Sequence, residues 1–212
     1  MCGVIGVISK ARNVIHDGII LLNAGNNRGG QSCGGATFDG KELHWHHGEG
    51  KVSEVFGRRD QKKWSKLLGS ACVMHTLYST IGRNNGEKQP LTKHPIIFNY
   101  RGRRGAISHN GNLVRLDELR KLVKKCGYKF KSETSDTEVI AALISVSKKK
   151  DFLEALIEVL KMIEGKGSFS LVILYGGKLY GVRDQNGIRP LCIIKKNGKG
   201  GDSDSYIFAS ES

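Results

Sequence analysis

MCGVIGVI, residues 1–8, runs from a cysteine at position 2 straight into an apolar, β-branched stretch broken only by Gly6. No basic segment precedes it and it is too short for a signal core, so it predicts a strand with a thiol at its entrance. With the initiator methionine removed, Cys2 holds a thiol and an α-amine on one residue. An α-amine with an unperturbed pKa of about 7.7–8.0 can take a thiol proton near neutral pH, which a lysine at about 10.4 cannot. This is the cysteine counterpart of the threonine and terminal-amine pair; the competing reading is a small buried apolar side chain.

Strand patterns recur in GGATF (34–38), KELHWHH (41–47), ACVMHTLY (71–78), AISHN (106–110), FSLVILY (169–175), KLYGVR (178–183), LCIIKK (191–196) and YIFAS (206–210). Gly-rich connections at 176–178 and 197–201 predict antiparallel neighbours. Helical periodicity marks residues 14–24; it also marks 116–126, with Leu116, Leu119, Leu122 and Val123 on one face, and 151–163, with Phe152, Leu156, Val159 and Ile163. Ser135 with Glu138, and Asp151 with Glu154, have capping-box spacing. The polar stretch GRNNGEKQPLTKHP (82–95) is long enough to lie over a site. No linker or repeat divides the 212 residues, which predicts one domain of antiparallel sheets and helices.

The formal net charge of +14 invites a nucleic-acid reading. The basic residues nevertheless fall in separate clusters, GRRDQKKWSK, RGRR, KLVKKCGYKFK and KKK, with no recognisable nucleic-acid module, which argues for solvated surface lysines instead. Five cysteines, scattered without CxxC spacing, fit neither a disulfide framework nor a zinc site. The expectation is a cytoplasmic protein with no membrane span, no metal and no cofactor.

Two downstream segments bear on Cys2. In AISHNGNL, Asn110 and Gly111 follow a strand pattern, where an amide side chain and a glycine N–H can converge on the negative oxygen of a carbonyl under thiolate attack. The alternative is a plain Asn-Gly turn. In SETSDTEVI, Asp136 falls in the first turn of a helix, placed either to bind a ligand ammonium or to satisfy the helix N-terminus.

Taken in order, MCGVIGV, NRGGQSCGG, HTLYSTIG, SHNGNLVRLDEL, TSDTEVI, GSFSLVIL, LYGVRDQNGIRPL and FASES resemble the glutaminase domain of class II glutamine amidotransferases, members of the N-terminal nucleophile hydrolase superfamily. The likeness spans residues 1–212, read as one glutaminase domain. It is nearest to the glutamine phosphoribosylpyrophosphate amidotransferases of purine biosynthesis. It implies an α+β fold, a four-layer αββα sandwich of two antiparallel sheets between helical layers. It also implies hydrolysis of L-glutamine through a Cys2 thioester, with Asn110 and Gly111 holding the oxyanion and Asp136 the α-ammonium. Arg28, Tyr78, Ser79 and Thr80 match the family's site-lining residues.

Two departures stand out. The family places before YST an arginine that binds the glutamine carboxylate, and this chain has Leu77. Loss of such a charge-assisted pair costs about 1.5–3 kcal/mol, roughly ten- to a hundredfold in affinity. This raises the alternative of a catalytically impaired relative acting as a binding or regulatory subunit. The second departure is the doubled glycine of NRGGQ. The resemblance implies that relatives continue beyond FASES into a phosphoribosyltransferase domain, and the expectation is that this chain does not carry it. The expectation is therefore that ammonia passes to a partner synthase domain or subunit, and a homo-oligomer is left open.

Overall fold

In a computed structural model describing residues 2–10, 13–25, 30–77, 93–198 and 203–211, the opening stretch forms β1 (Gly3–Ser9). It lies inside a six-stranded antiparallel sheet with β2 (Ser32–Phe38), β3 (Leu43–Glu49), β4 (Ala71–Leu77), β9 (Cys192–Lys196) and β10 (Ser205–Ala209). The order is β3-β2-β4-β1-β10-β9. A second, four-stranded antiparallel sheet holds β5 (Ile96–Tyr100), β6 (Arg103–Leu113), β7 (Gly167–Tyr175) and β8 (Lys178–Arg183), in chain order. Gly176 and Gly177, at φ 58° and 75°, make the tight β7–β8 turn that the sequence predicts.

The period-2 alternation of each strand divides the apolar residues among three cores. Between the sheets pack Val4, Ala36, Val73, Ala106, Val172 and Leu174. The opposite face of the first sheet, with Ile5, Val7, Cys72 and Met74, is covered by α1 (Ile15–Ala24) and α2 (Val52–Val55), with Trp64 of α3 (Gln61–Trp64) at its margin. The outer face of the second sheet, with Ile107, Phe169, Leu171 and Ile173, is covered by α4 (Asp117–Lys125), α5 (Asp136–Val146) and α6 (Phe152–Ile163). This is the αββα sandwich. Gly6 shows how close the two sheets come: a Cβ there would sit 2.5 Å from Val172 Cγ1, so a side chain would push them apart.

Helix α5 is the most enclosed helix, with every residue from Thr137 to Ile144 buried. Each fully buried Ile such as Ile140 or Ile144 contributes about 1.5–3 kcal/mol of transfer free energy. Its start departs from the expected reciprocal box. Ser135 Oγ accepts the Glu138 N–H at 3.1 Å, but the Glu138 carboxylate turns to the Lys131 and Ser132 N–H groups, at 2.7 and 2.8 Å. Asp151 caps α6 by accepting the Leu153 and Glu154 N–H groups. On α4, Leu116 and Val123 are buried, whereas Leu122 is 43% exposed. At about 100° per residue, Leu122 is rotated off the face that Val123 turns inward.

Candidate active site

Cys2 is half-buried and immediately precedes β1. Val4 and Gly6 face the second sheet, and continuing that alternation places Cys2 on the same inner side. The strand entrance is clamped from both flanks. Gly3 N–H donates to Thr76 Oγ1 at 3.2 Å, while Val4 N–H donates to Ser210 Oγ and Ser210 N–H to the Val4 carbonyl, both at 3.0 Å. Two of the other cysteines are chemically quiet: burial pushes the Cys33 and Cys72 thiols up to about 12. Cys192 donates to the Ala209 and Glu211 carbonyls.

Asn110 and Gly111 are part of β6 itself, not a turn after it, and pair with Ser170 and Phe169 of β7. Asn110 is 1% exposed, and its Nδ2 has no hydrogen-bond partner among the described residues. A buried amide left unpaired costs about 1–3 kcal/mol. It shares the inward parity of Ala106, on the side to which β1 turns Cys2. Gly111 has no room for a side chain, since a Cβ would lie 2.5 Å from His109 Nε2 and 2.7 Å from Phe169 Cα. The Leu113 N–H points away from β7, to Asp136. The two-residue repeat sends the Gly111 N–H the same way, past the end of β5, whose pairing with β6 stops at Ile96 and Ile107.

Asp136 opens α5 and is tied to β6. Its Oδ2 accepts the Leu113 N–H at 3.0 Å, and its Oδ1 accepts the Thr137 N–H at 2.7 Å and the Thr137 hydroxyl at 3.3 Å. His109 Nδ1 lies 3.6 Å from Oδ1. Burial opposes ionisation of this carboxyl, but His109 and the two backbone donors outweigh it and hold the pKa down at about 2. An anion with 22% of its side chain exposed thus stands at the helix N-terminus.

The GVRDQNGIRPL segment braces the same strands. Asp184, 8% exposed, accepts the Phe169 and Asn186 N–H groups at 3.1 and 3.0 Å, and Arg189 Nε donates to Ser168 Oγ at 3.2 Å. Phe169 and Ser168 are the partners of Gly111 and Asn112, so this turn sets the position of the Asn-Gly pair. Arg28, Tyr78, Ser79 and Thr80 lie outside the described residues. Leu77, half-buried at the end of β4, pairs with Ser32. Cavities of about 340 Å³ between α6 and β8, and about 690 Å³ between β3 and β5, are lined by other residues than Cys2, Asn110, Gly111 or Asp136. No cluster of three metal-ligating side chains occurs among the described residues, and none of their helices is long and apolar enough to cross a membrane.

Sequence reasoning missed His75 and His109, both buried, which join these elements: His75 Nε2 lies 3.1 Å from the His109 carbonyl, and His109 Nδ1 lies 2.9 Å from Thr137 Oγ1. The available signal was their position in strand patterns, ACVMHTLY and AISHN, where an ionisable residue must find partners.

Comparison with known proteins agrees with this geometry. A family model described as a glutamine amidotransferase domain matches residues 78–212. An amidophosphoribosyltransferase of Synechocystis is 35% identical over 99% of this chain and 40% of its own length, and one from Methanocaldococcus jannaschii is 36% identical over 100% and 42%. The chain thus spans about two fifths of the length of these relatives. The solved glutamine phosphoribosylpyrophosphate amidotransferase from B. subtilis, complexed with ADP and GMP, superposes with a TM-score of 0.76 at 29% identity, covering 99% of this chain and 42% of that one. A fold of two antiparallel sheets between helices, a cysteine at the entrance of β1 and a family match over more than half of the sequence converge: this chain belongs to the glutamine amidotransferase domain family.

Proposed function

We propose that this chain hydrolyses the side-chain amide of L-glutamine and delivers the ammonia to a synthase domain or subunit, in purine biosynthesis. The observation that carries the reading is the buried Asn110 amide beside Gly111, without a partner among the described residues and on the face toward which β1 turns Cys2. Cys2 Sγ attacks the carboxamide carbon as its thiol proton passes to the α-amine of the same residue. The Asn110 amide and the Gly111 N–H hold the resulting oxyanion, a term worth about 2.7–4 kcal/mol per donor. The tetrahedral intermediate expels ammonia with the proton returned by the ammonium, leaving a glutamyl thioester. Water then attacks the thioester, the α-amine taking its proton, and glutamate leaves as the thiol re-forms.

The Asp136 carboxylate receives the substrate α-ammonium, and Arg28, Tyr78, Ser79 and Thr80 line the substrate by resemblance to the family. Residues 1–212 act as the glutaminase domain, and the named activity of the relatives suggests a phosphoribosyl group as the acceptor. A second reading, a binding or regulatory subunit with impaired catalysis, is favoured by the apolar Leu77 at the end of β4. Purified protein with Cys2 as its first residue is expected to release glutamate from glutamine, and Cys2→Ala to abolish it. No release from the unmutated protein, with intact mass confirming removal of Met1, overturns the catalytic reading and leaves the second.

A further inference from the structure

Three buried histidines lie behind the candidate site, and the mechanism above uses none of them. His75 is 0%, His109 3% and His94 7% exposed. The His75 and His94 rings stack at 4.3 Å with an 18° interplanar angle. A carbonyl can only accept, so the 3.1 Å contact between His75 Nε2 and the His109 carbonyl requires the proton of His75 on Nε2. Burial pushes the His75 pKa down to about 3, which agrees with one ring proton. His75 therefore links β4 of the first sheet to β6 of the second, one residue before Asn110.

On the other side of β6 the hydrogen bonds have a direction. The Thr137 hydroxyl donates to Asp136 Oδ1 at 3.3 Å, so Thr137 Oγ1 accepts from His109 Nδ1 at 2.9 Å. Asp136 Oδ2 is held by the Leu113 N–H, four residues further along the same strand. One continuous path thus runs from β4 through His75, His109 and Thr137 to the Asp136 carboxylate, with Asn110 and Gly111 on the strand it crosses.

Resting on the function proposed above, we propose that His75 and Thr137 are positioning residues with separable effects. His75 fixes the strand that presents the Asn110 amide, so it acts on the chemical step. Thr137 fixes the rotation of the Asp136 carboxylate, so it acts on glutamine binding. His109 is the shared member that couples the two.

The test combines steady-state glutamine hydrolysis with imidazole ¹⁵N spectroscopy of the intact chain. Thr137→Val, close in shape, is expected to raise KM for glutamine about tenfold with kcat within about twofold, and Thr137→Ser to restore KM. His75→Phe is expected to lower kcat about tenfold with KM little changed, and His75→Gln, which keeps a donor near Nε2, to recover part of it. Equal losses in kcat and KM for both variants, or no loss at all, overturn the assignment. The spectra separate this failure from failure of the glutaminase reading. Even if the unmutated protein releases no glutamate, His109 must carry a proton on Nδ1 and His75 on Nε2, and Thr137→Val must shift the His109 Nδ1 resonance. An unshifted resonance sinks the path whatever the activity.

Discussion

Asp136 Oδ2 accepts the backbone N–H of Leu113 at 3.0 Å, so the first residue of α5 is fastened to the strand that carries Asn110 and Gly111. In the proposed site the group that holds the substrate's ammonium and the groups that hold its oxyanion therefore move as one piece. On the proposed reading, the spacing between the two ends of a bound glutamine is set by a short stretch of β6, not by a loop.

The Asn110 amide, without a partner among the described residues, lets stability be tested apart from the proposed activity. Asn110→Ala removes a buried donor that no described residue satisfies, so its thermal midpoint should hold or rise. Glutamate release should nevertheless fall about 10²–10³-fold in kcat. A parallel loss of stability and rate, measured by thermal denaturation and an enzyme assay, would show that Asn110 is structural.

The Asp136 carboxyl carries a stability term with a defined pH window. Its pKa is lowered from 3.8 to about 2 in the folded chain, so the contribution is fully present above about 4 and is lost as pH falls through about 2. The shift corresponds to about 2 kcal/mol. Denaturant titrations between pH 5 and 2 (roughly the span of linkage for such a carboxyl) should show a shallower decline for Asp136→Asn, and the same variant should raise KM for glutamine.

Thiol reactivity should follow burial. Iodoacetamide under native conditions at mild alkaline pH is expected to modify exposed Cys126 and the proposed nucleophile Cys2, and to spare Cys33 and Cys72, whose thiols are pushed up to about 12. Peptide mapping reads this directly. Protection of Cys2 by saturating glutamine would tie its reactivity to the proposed site, and labelling of Cys33 ahead of Cys2 would count against it.

Leu77 decides between the two functional readings. Leu77→Arg should lower KM for glutamine about ten- to a hundredfold if the remainder of the site is intact. An unchanged KM would mean that another cation already serves the carboxylate, or that a different amide is the substrate.

Most of the sandwich was legible because burial on alternate faces writes itself into strands such as FSLVILY and into the Phe152, Leu156, Val159 and Ile163 stripe of α6. What escaped did so for physical reasons. β5 is short, follows Pro95 and pairs only with β6 among the described residues, and PIIFNY offers little alternation. The four-residue helices α2 and α3 are too brief to show a period. Glu138 looked like the return half of a capping box because spacing cannot tell that the 131–132 backbone comes within reach of its carboxylate. Cys2, Asn110 and Asp136 were each readable as candidates, but the His75–His109–Thr137 path was not. It depends on the cross-sheet approach of β4 and β6, which no local pattern encodes.

The clamp between Val4 and Ser210 joins residues 206 positions apart. Synthesis runs from the amino end, so β1 leaves the ribosome before the other described strands but gains its β10 neighbour only when residues 205–209 have been made. Such a long closure is the slow kind of contact in a folding reaction. The strand that follows Cys2 therefore gains its β4 neighbour well before its β10 neighbour, and the Ser210 half of the clamp closes only after the other described strands have been made.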